Sequence, residues 1–326
     1  MDNRYNKLLI SSSFNSTLEE LKQLQIKIPK ESSQIDHELD HLYFPPDGNL
    51  VTSIDRIEKV KLDPGSGVKW AENRTIAAYD ESIKRFSAIE GTAYFTAHSL
   101  VVGRDYVPLT LVTFYFYTKA RTIVSDSIKY SNNPEEDSKK DYARDRMEFL
   151  KEYAPGGCLL FIDGPIIGGD VYTMMIGHLK DLRARGIVPV FFVKNSTSNL
   201  VTDNIPELRG RYNSDFHWCY NFLKPGERTN FFRYVDRHNP KNAKIFCYIR
   251  TFGGLQRVEL DVRSFEELED LMNYIYYLIL AQGDPKNPQV RTIAIAERYA
   301  REVLNVIDIE NYMKGLMPTM NQNRFG

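Results

Sequence analysis

The sequence predicts an α/β fold: a mixed sheet, an antiparallel meander and then parallel strands, flanked by helices. Three observations carry this. Three β-rich runs follow one another with short connections between Thr75 and Tyr117, as in a meander. The passage Cys158–Lys194 reads strand–helix–strand, the signature of a parallel pair. Two long helical stretches then close the chain. With 326 residues, 42% of them hydrophobic, the chain can form one large domain, or one domain plus an appendage.

The first segment with helical spacing is Ser16–Ile28, where Leu18, Leu21 and Leu24 recur at threes. Pro45-Pro46-Asp47-Gly48 and Pro64-Gly65-Ser66-Gly67 are turn chemistry. Residues 1–70 are therefore expected to form an appendage of helix and loops. Thr75–Asp80 is a short apolar strand ending on an acid, and Thr92–Val102 and Leu109–Tyr117 are its successors. Ser131–Lys140 is rich in charge and reads as a solvated loop. A helix is expected over Asp141–Tyr153, stopped by Pro155-Gly156-Gly157.

Cys158–Ile162 is a buried strand by composition, ended by Asp163-Gly164-Pro165. A helix over Val171–Arg185 and a strand over Ile187–Lys194 follow. Asp215–Leu223 reads as helical. Lys244–Thr251 and Leu255–Val262 read as strands joined at Gly253-Gly254. Helices over about Phe265–Ala281 and Val290–Val306 complete a main domain spanning 71–316, and 317–326 reads as a flexible tail. Antiparallel strands, then parallel ones and a late helix, match a ribonuclease-H-like architecture.

Composition removes several functions. Lys+Arg 42 against Asp+Glu 43 gives a net charge of -1, so nucleic acid would have to meet a local basic surface. Cys158, Cys219 and Cys247 are too few and too scattered for a disulfide framework or a cysteine-rich zinc site. The richest apolar run, Met272–Ala281, is about half the length of a membrane span. With no secretory leader pattern at the start, a soluble cytoplasmic protein is expected. No phosphate-binding G-x-x-x-x-G-K-[ST] loop and no G-x-S-x-G elbow occurs.

His37-Glu38-Leu39-Asp40-His41 spells the zinc-hydrolase pattern H-E-x-x-H. Pro45-Pro46 leaves a helix little room there, and the acidic surroundings fit an exposed turn better. Asp80 and Asp163 are better candidates, since each closes an apolar run and would stand at the rim of the sheet. Neighbouring carboxylates repel unless cations neutralise them, and oxygen ligands favour Mg²⁺ or Mn²⁺. Two such ions can clamp a phosphodiester during displacement. A third acid is sought in Glu148 or Glu152, which share a helix face with Arg144. Another is Glu297, set among small apolar residues. Lys194, ending a strand, could meet a phosphate. Arg209, Arg211, Lys224 and Arg228 add basic character.

From about Thr75 to the last helix, these segments resemble the NurA nuclease family of archaea and bacteria. Ala77-Ala78-Tyr79-Asp80-Glu81-Ser82 is similar to the family's first strand, which ends Asp-Gly-Ser. Leu160-Phe161-Ile162-Asp163-Gly164-Pro165 is similar to its second, and Val190-Phe191-Phe192-Val193-Lys194 to its strand ending in Lys. Pro225-Gly226-Glu227-Arg228-Thr229 resembles its Gly-Glu-Arg turn, and Arg257-Val258-Glu259 its late Arg-x-Glu strand. Arg144 to Glu148 resembles the helix that supplies its catalytic glutamate.

The resemblance implies a ribonuclease-H-like core and a manganese- or magnesium-dependent deoxyribonuclease. The expected activity is 5′–3′ exonuclease, single-strand endonuclease, or both. It further implies a homodimer that processes DNA ends with a hexameric HerA-type translocase. By position, Asp80, Glu148 and Asp163 inherit metal-ligand roles, with Glu297 completing the site. Lys194, Arg228 and Arg257 are the expected nucleic-acid contacts.

Two positions depart from the pattern. Glu81 replaces a glycine, which would strain the backbone if that site required φ > 0. Ala296-Glu297 stands where the family has Ala-His, and Asn287-Pro288-Gln289 lacks the family's tyrosine. These leave open a non-catalytic scaffold that closes a DNA channel on a HerA-type ring. A zinc hydrolase built on His37 and His41 is the more distant alternative.

Overall fold

The structure, a computed structural model, describes residues 51–317 except 54–56, 104–107, 122–123, 125–127, 168–171, 195, 205–207, 236–242, 262–266, 283 and 285–287. The expected helix at Ser16–Ile28, the His37/His41 motif and most of the expected tail lie outside the described residues.

The sheet is the mixed one expected. Its centre is β3 (Ile76–Ser87), β4 (Thr92–Val102), β5 (Pro108–Thr118), β7 (Leu159–Asp163), β8 (Val188–Val193), β11 (Lys244–Arg250) and β12 (Leu255–Asp261). Five three-residue strands extend it: β1 (Val51–Ser53), β2 (Lys59–Lys61), β6 (Ile128–Tyr130), β9 (Glu227–Thr229) and β10 (Phe232–Tyr234). The order is β1-β10-β11-β12-β8-β7-β3-β4-β5-β6, with β2 and β9 branching from β11. β3, β4 and β5 form the antiparallel meander, while β3–β7 and β7–β8 are parallel. The strand–helix–strand reading of Cys158–Lys194 therefore holds.

Seven helices are described: α1 (Pro64–Trp70), α2 (Pro134–Tyr153), α3 (Tyr172–Ala184), α4 (Asp215–Phe222), α5 (Leu268–Gln282), α6 (Arg291–Val306) and α7 (Ile309–Leu316). Alternation along the strands feeds two cores. Leu160, Ile162 and Phe191 pack with Phe149 of α2, Leu179 of α3 and Trp218 of α4 on one face. Phe161, Val190 and Phe192 pack with Leu271 and Ile275 of α5 and Ile293 of α6 on the other.

Four local expectations are corrected. The part of the first seventy residues that is described does not stand apart as an appendage: β1 pairs with β10, β2 with β9, and α1 packs on α5. The charged stretch before Asp141 is not a loop but the first two turns of α2. Asn133 caps it by accepting a hydrogen bond from the Glu136 N–H at 3.4 Å, Pro134 opens it, and Glu135, Glu136 and Asp137 face its positive end. β3 does not stop at Asp80. It runs on to Ser87 against β4, with Ile83, Arg85 and Ser87 exposed and Glu81, Lys84 and Arg85 breaking the apolar run, which hid it from a search for apolar runs.

Pro64-Gly65-Ser66-Gly67 makes helix, not turn. Asp63 caps it by accepting from the Gly65 N–H at 2.9 Å, with proline in the first turn. Asn273 of α5 accepts from the Asp63 N–H at 2.9 Å and donates to the Ser66 hydroxyl at 3.1 Å. The glycine is needed for this approach, because a Cβ on Gly67 would lie 2.3 Å from the Tyr274 nitrogen. Gly67→Ala is expected to cost about 1–3 kcal/mol by forcing the two helices apart. An unchanged urea midpoint would show that α1 is free to shift.

A candidate metal centre on the sheet edge

Side-chain alternation brings the site together. Ala78, Phe161 and Phe192 all face the core beneath α5 and α6. Two residues further along each chain stand Asp80, Asp163 and Lys194, so all three emerge on that same face. Register sets them side by side: Tyr79 pairs with Ile162 across β3 and β7, and Asp163 with Phe192 across β7 and β8.

α6 supplies the third acid. Ile293, Ala296, Ala300 and Leu304 are its buried stripe, and the small Ala296 and Ala300 let the helix lie close over the strands. Glu297, beside that stripe, is half-buried and reaches the strand ends. One carboxylate oxygen each from Asp80, Asp163 and Glu297 lies within 4.8 Å of the others.

Lys194 is threaded among these acids. Its Nζ lies 2.6 Å from Asp163 Oδ2 and 3.3 Å from Glu297 Oε2, and it donates to Gln289 Oε1 at 2.7 Å. Gln289 in turn donates to Glu297 Oε2 at 3.1 Å, and Arg301 bonds Glu297 Oε1 at 2.5 Å. Despite partial burial, hydrogen bonding from Gln289 and the charges of Lys194 and Arg301 hold the Glu297 carboxyl below its usual range.

Among the described residues, Asp80 has no such cation. Burial, the adjacent Asp163 charge and weaker repulsion from Glu81 and Glu297 push its pKa up to about 8, against one favourable bond from the Glu81 N–H at 2.7 Å. Burial also raises Asp163, with Lys194 opposing and Glu297 reinforcing. Three oxygen donors, one of them destabilised by its neighbours' charge, are what a hard divalent cation relieves. The residues fit such an ion.

The other sequence candidates are placed elsewhere. Glu148 lies on the exposed face of α2, outside the Asp80–Asp163–Glu297 group. Helical geometry turns Asp145, Arg146, Phe149 and Leu150 inward instead. Arg228 is buried and ion-paired to Glu269, and its guanidinium also donates to the Thr229 carbonyl at 2.7 Å. Arg257 is buried and holds Glu259 at 2.5 Å. Neither presents a free guanidinium at the surface for phosphate, because each neutralises a carboxylate beside it.

Glu81 turns to the opposite face from Asp80. Arg146 grips its carboxylate, with one bond of 2.8 Å, and Tyr79 donates to it at 2.5 Å. His98 Nδ1 lies 2.7 Å from the Tyr79 oxygen. Among the described residues only Asp308 and glycines have positive φ, so the expected strain at Glu81 is absent. Sequence reasoning missed Arg146 and Gln289. For Gln289 the neighbouring Pro288 and the following helix were the available signal.

The NurA domain of known families matches residues 57–302. The chain belongs to the NurA nuclease family. The NurA nuclease from Sulfolobus solfataricus is similar in structure, with a TM-score of 0.54 at 12% identity over 94% of this chain and 98% of that one. A structure of NurA bound to dAMP and manganese matches with a TM-score of 0.42 at 8% identity, covering 89% and 93%. An endonuclease V from Bacillus subtilis matches with 0.41 at 8% identity, covering 77% and 86%. No curated protein matches the sequence. This NurA chain thus has the fold class its sequence predicts, and among its described residues no helix is long and apolar enough to cross a membrane.

Proposed function

We propose that this NurA protein hydrolyses DNA phosphodiester bonds with a manganese or magnesium ion held by Asp80, Asp163 and Glu297. The observation that carries the reading is the convergence of these three carboxylates on one sheet edge. A bound divalent cation would neutralise the carboxylates and polarise the phosphodiester. Asp80 and Asp163, fixed on neighbouring strands, orient the site. Glu297 completes the donor set from α6, in place of the Glu148 expected from sequence. Lys194, once drawn off the carboxylates, supplies a positive charge for the substrate phosphate. Gln289 and Arg301 position Glu297.

The family relationship supports a cytoplasmic homodimer that processes DNA ends with a HerA-type hexameric translocase. The test is cleavage of end-labelled single- and double-stranded DNA in EDTA, Mg²⁺ or Mn²⁺. Cation-dependent loss of label is expected from the wild-type protein and none from Asp163→Ala. Equal cleavage by both would remove the acids from the reaction.

One observation favours a second reading, a DNA-binding scaffold on the translocase ring. The Lys194 ammonium already bridges Asp163 and Glu297, as a resident cation would in a site that binds no metal. No cleavage with any cation and the translocase present, alongside retained end binding by an Asp80/Asp163 double mutant, would establish it.

A further inference from the structure

The turn joining β11 to β12 carries an aromatic ring with no core to enter. Thr251 and Gly254 close the turn, the Thr251 N–H donating to the Gly254 carbonyl at 2.8 Å, and Phe252 at its tip is 75% exposed. A phenyl ring this exposed at a tight turn contributes nothing to the core, and its hydration is unfavourable.

Register shows where the tip points. Arg257 of β12 pairs with Val193 of β8 in antiparallel sense, so Gln256 runs alongside Lys194 and the turn projects past the end of β8. That is the edge on which Asp163 and Lys194 stand. At about 3.3 Å per residue, the tip lies on the order of 10 Å beyond Gln256. The link is also short through hydrogen bonds: Gln256 donates to the Pro288 carbonyl, and the next residue, Gln289, donates to Glu297 and accepts from Lys194.

Beside the tip, Thr251, Phe252 and Gly253 with Ile279, Leu280, Asp284 and Pro288 line a cavity of about 250 Å³. Among the described residues this lining is apolar apart from Thr251 and Asp284, and it suits the flat, apolar face of a nucleobase.

We infer that Phe252 is a base-stacking residue that receives an unpaired base of the DNA strand whose phosphate lies at Lys194 and the acids. A base within a duplex is already stacked on its neighbours, so this contact selects single strands or frayed ends. The inference rests on the nuclease reading for the strand's position, but stacking itself needs no cleavage.

The test is direct binding in EDTA of a single-stranded oligonucleotide carrying 2-aminopurine, and of the matching duplex. Phe252→Ala is expected to weaken single-strand binding about 5- to 100-fold and to abolish the fluorescence quenching that stacking produces, with duplex binding little changed. Phe252→Tyr should restore both. Single-strand affinity and quenching unchanged in Phe252→Ala would overturn the inference, whatever the cleavage assay shows. Loss of self-association with unchanged DNA binding would also overturn it, assigning the ring to a protein interface. Phe252-dependent quenching in a protein that cleaves nothing would retain the inference and discard the nuclease reading.

Discussion

Arg146→Ala is expected to destabilise the protein by about 3–5 kcal/mol, the usual cost of stranding one partner of a buried ion pair. The stranded group is Glu81, mostly shielded from solvent beside the buried Tyr79 and His98 beneath α2. Burial disfavours its charge, and the Arg146 guanidinium, with help from Tyr79, overcomes this and holds the carboxyl below its usual range. Without Arg146, that carboxylate has only a neutral phenol and a largely neutral imidazole for company. Replacing both, Glu81→Met with Arg146→Met, should recover much of the loss, since the pair's attraction only offsets its desolvation. Urea denaturation of the three proteins checks this. Equal midpoints for wild type and Arg146→Ala would mean that water reaches the pair.

Asp80→Asn should have the opposite sign. In the metal-free protein it is expected to raise the melting temperature, because it deletes a carboxylate that burial and Asp163 disfavour. An acid whose folded pKa stands near 8 instead of 3.8 binds a proton more tightly when folded. Stability therefore falls as pH rises between those values and levels off above about 8. The gap between Asp80→Asn and wild type should widen from pH 5 to pH 8 in EDTA. At about 1.4 kcal/mol per pKa unit, its ceiling is on the order of 6 kcal/mol. Mn²⁺ should raise the wild-type melting temperature and leave the variant's nearly unchanged, since a ligand stabilises only the state that binds it. A gap that does not vary with pH would show that Asp80 is ionised throughout. A protein most stable with the Asp80 carboxylate removed has traded folding energy for keeping that acid in place.

How much of this was legible in the sequence differs by element. The meander, the parallel pair and the long final helix came from apolar periodicity, and they fix where Asp80 and Asp163 stand. The short strands β1, β2, β6, β9 and β10 did not, because three residues carry no period. Their pairing is decided by tertiary neighbours. Asp80 and Asp163 were legible as acids after apolar runs. Glu297 was legible as an acid beside Ala296, although the place of the third acid was expected to fall to Glu148. Which face of α2 turns inward depends on where that helix begins. The start was misplaced by two turns, and the buried positions Asp141, Asp145 and Arg146 went unread. Arg257 was named from the resemblance, and Arg228 from charge and resemblance together; the tertiary fold alone sets Glu269 beside Arg228, whereas Arg257 and Glu259, two apart on β12, share a face.

The outer edge of the meander also bears on assembly. Among the described residues, β6 pairs with β5 only at Phe116–Thr118, so Pro108–Tyr115 of β5 keeps an open edge, while the other end of the sheet order is the three-residue β1. Open strand edges are where a second chain adds itself to a ladder, and a three-residue one gives it almost nothing to grip. Two copies that joined by prolonging one continuous sheet would therefore have to add strand to strand at β5.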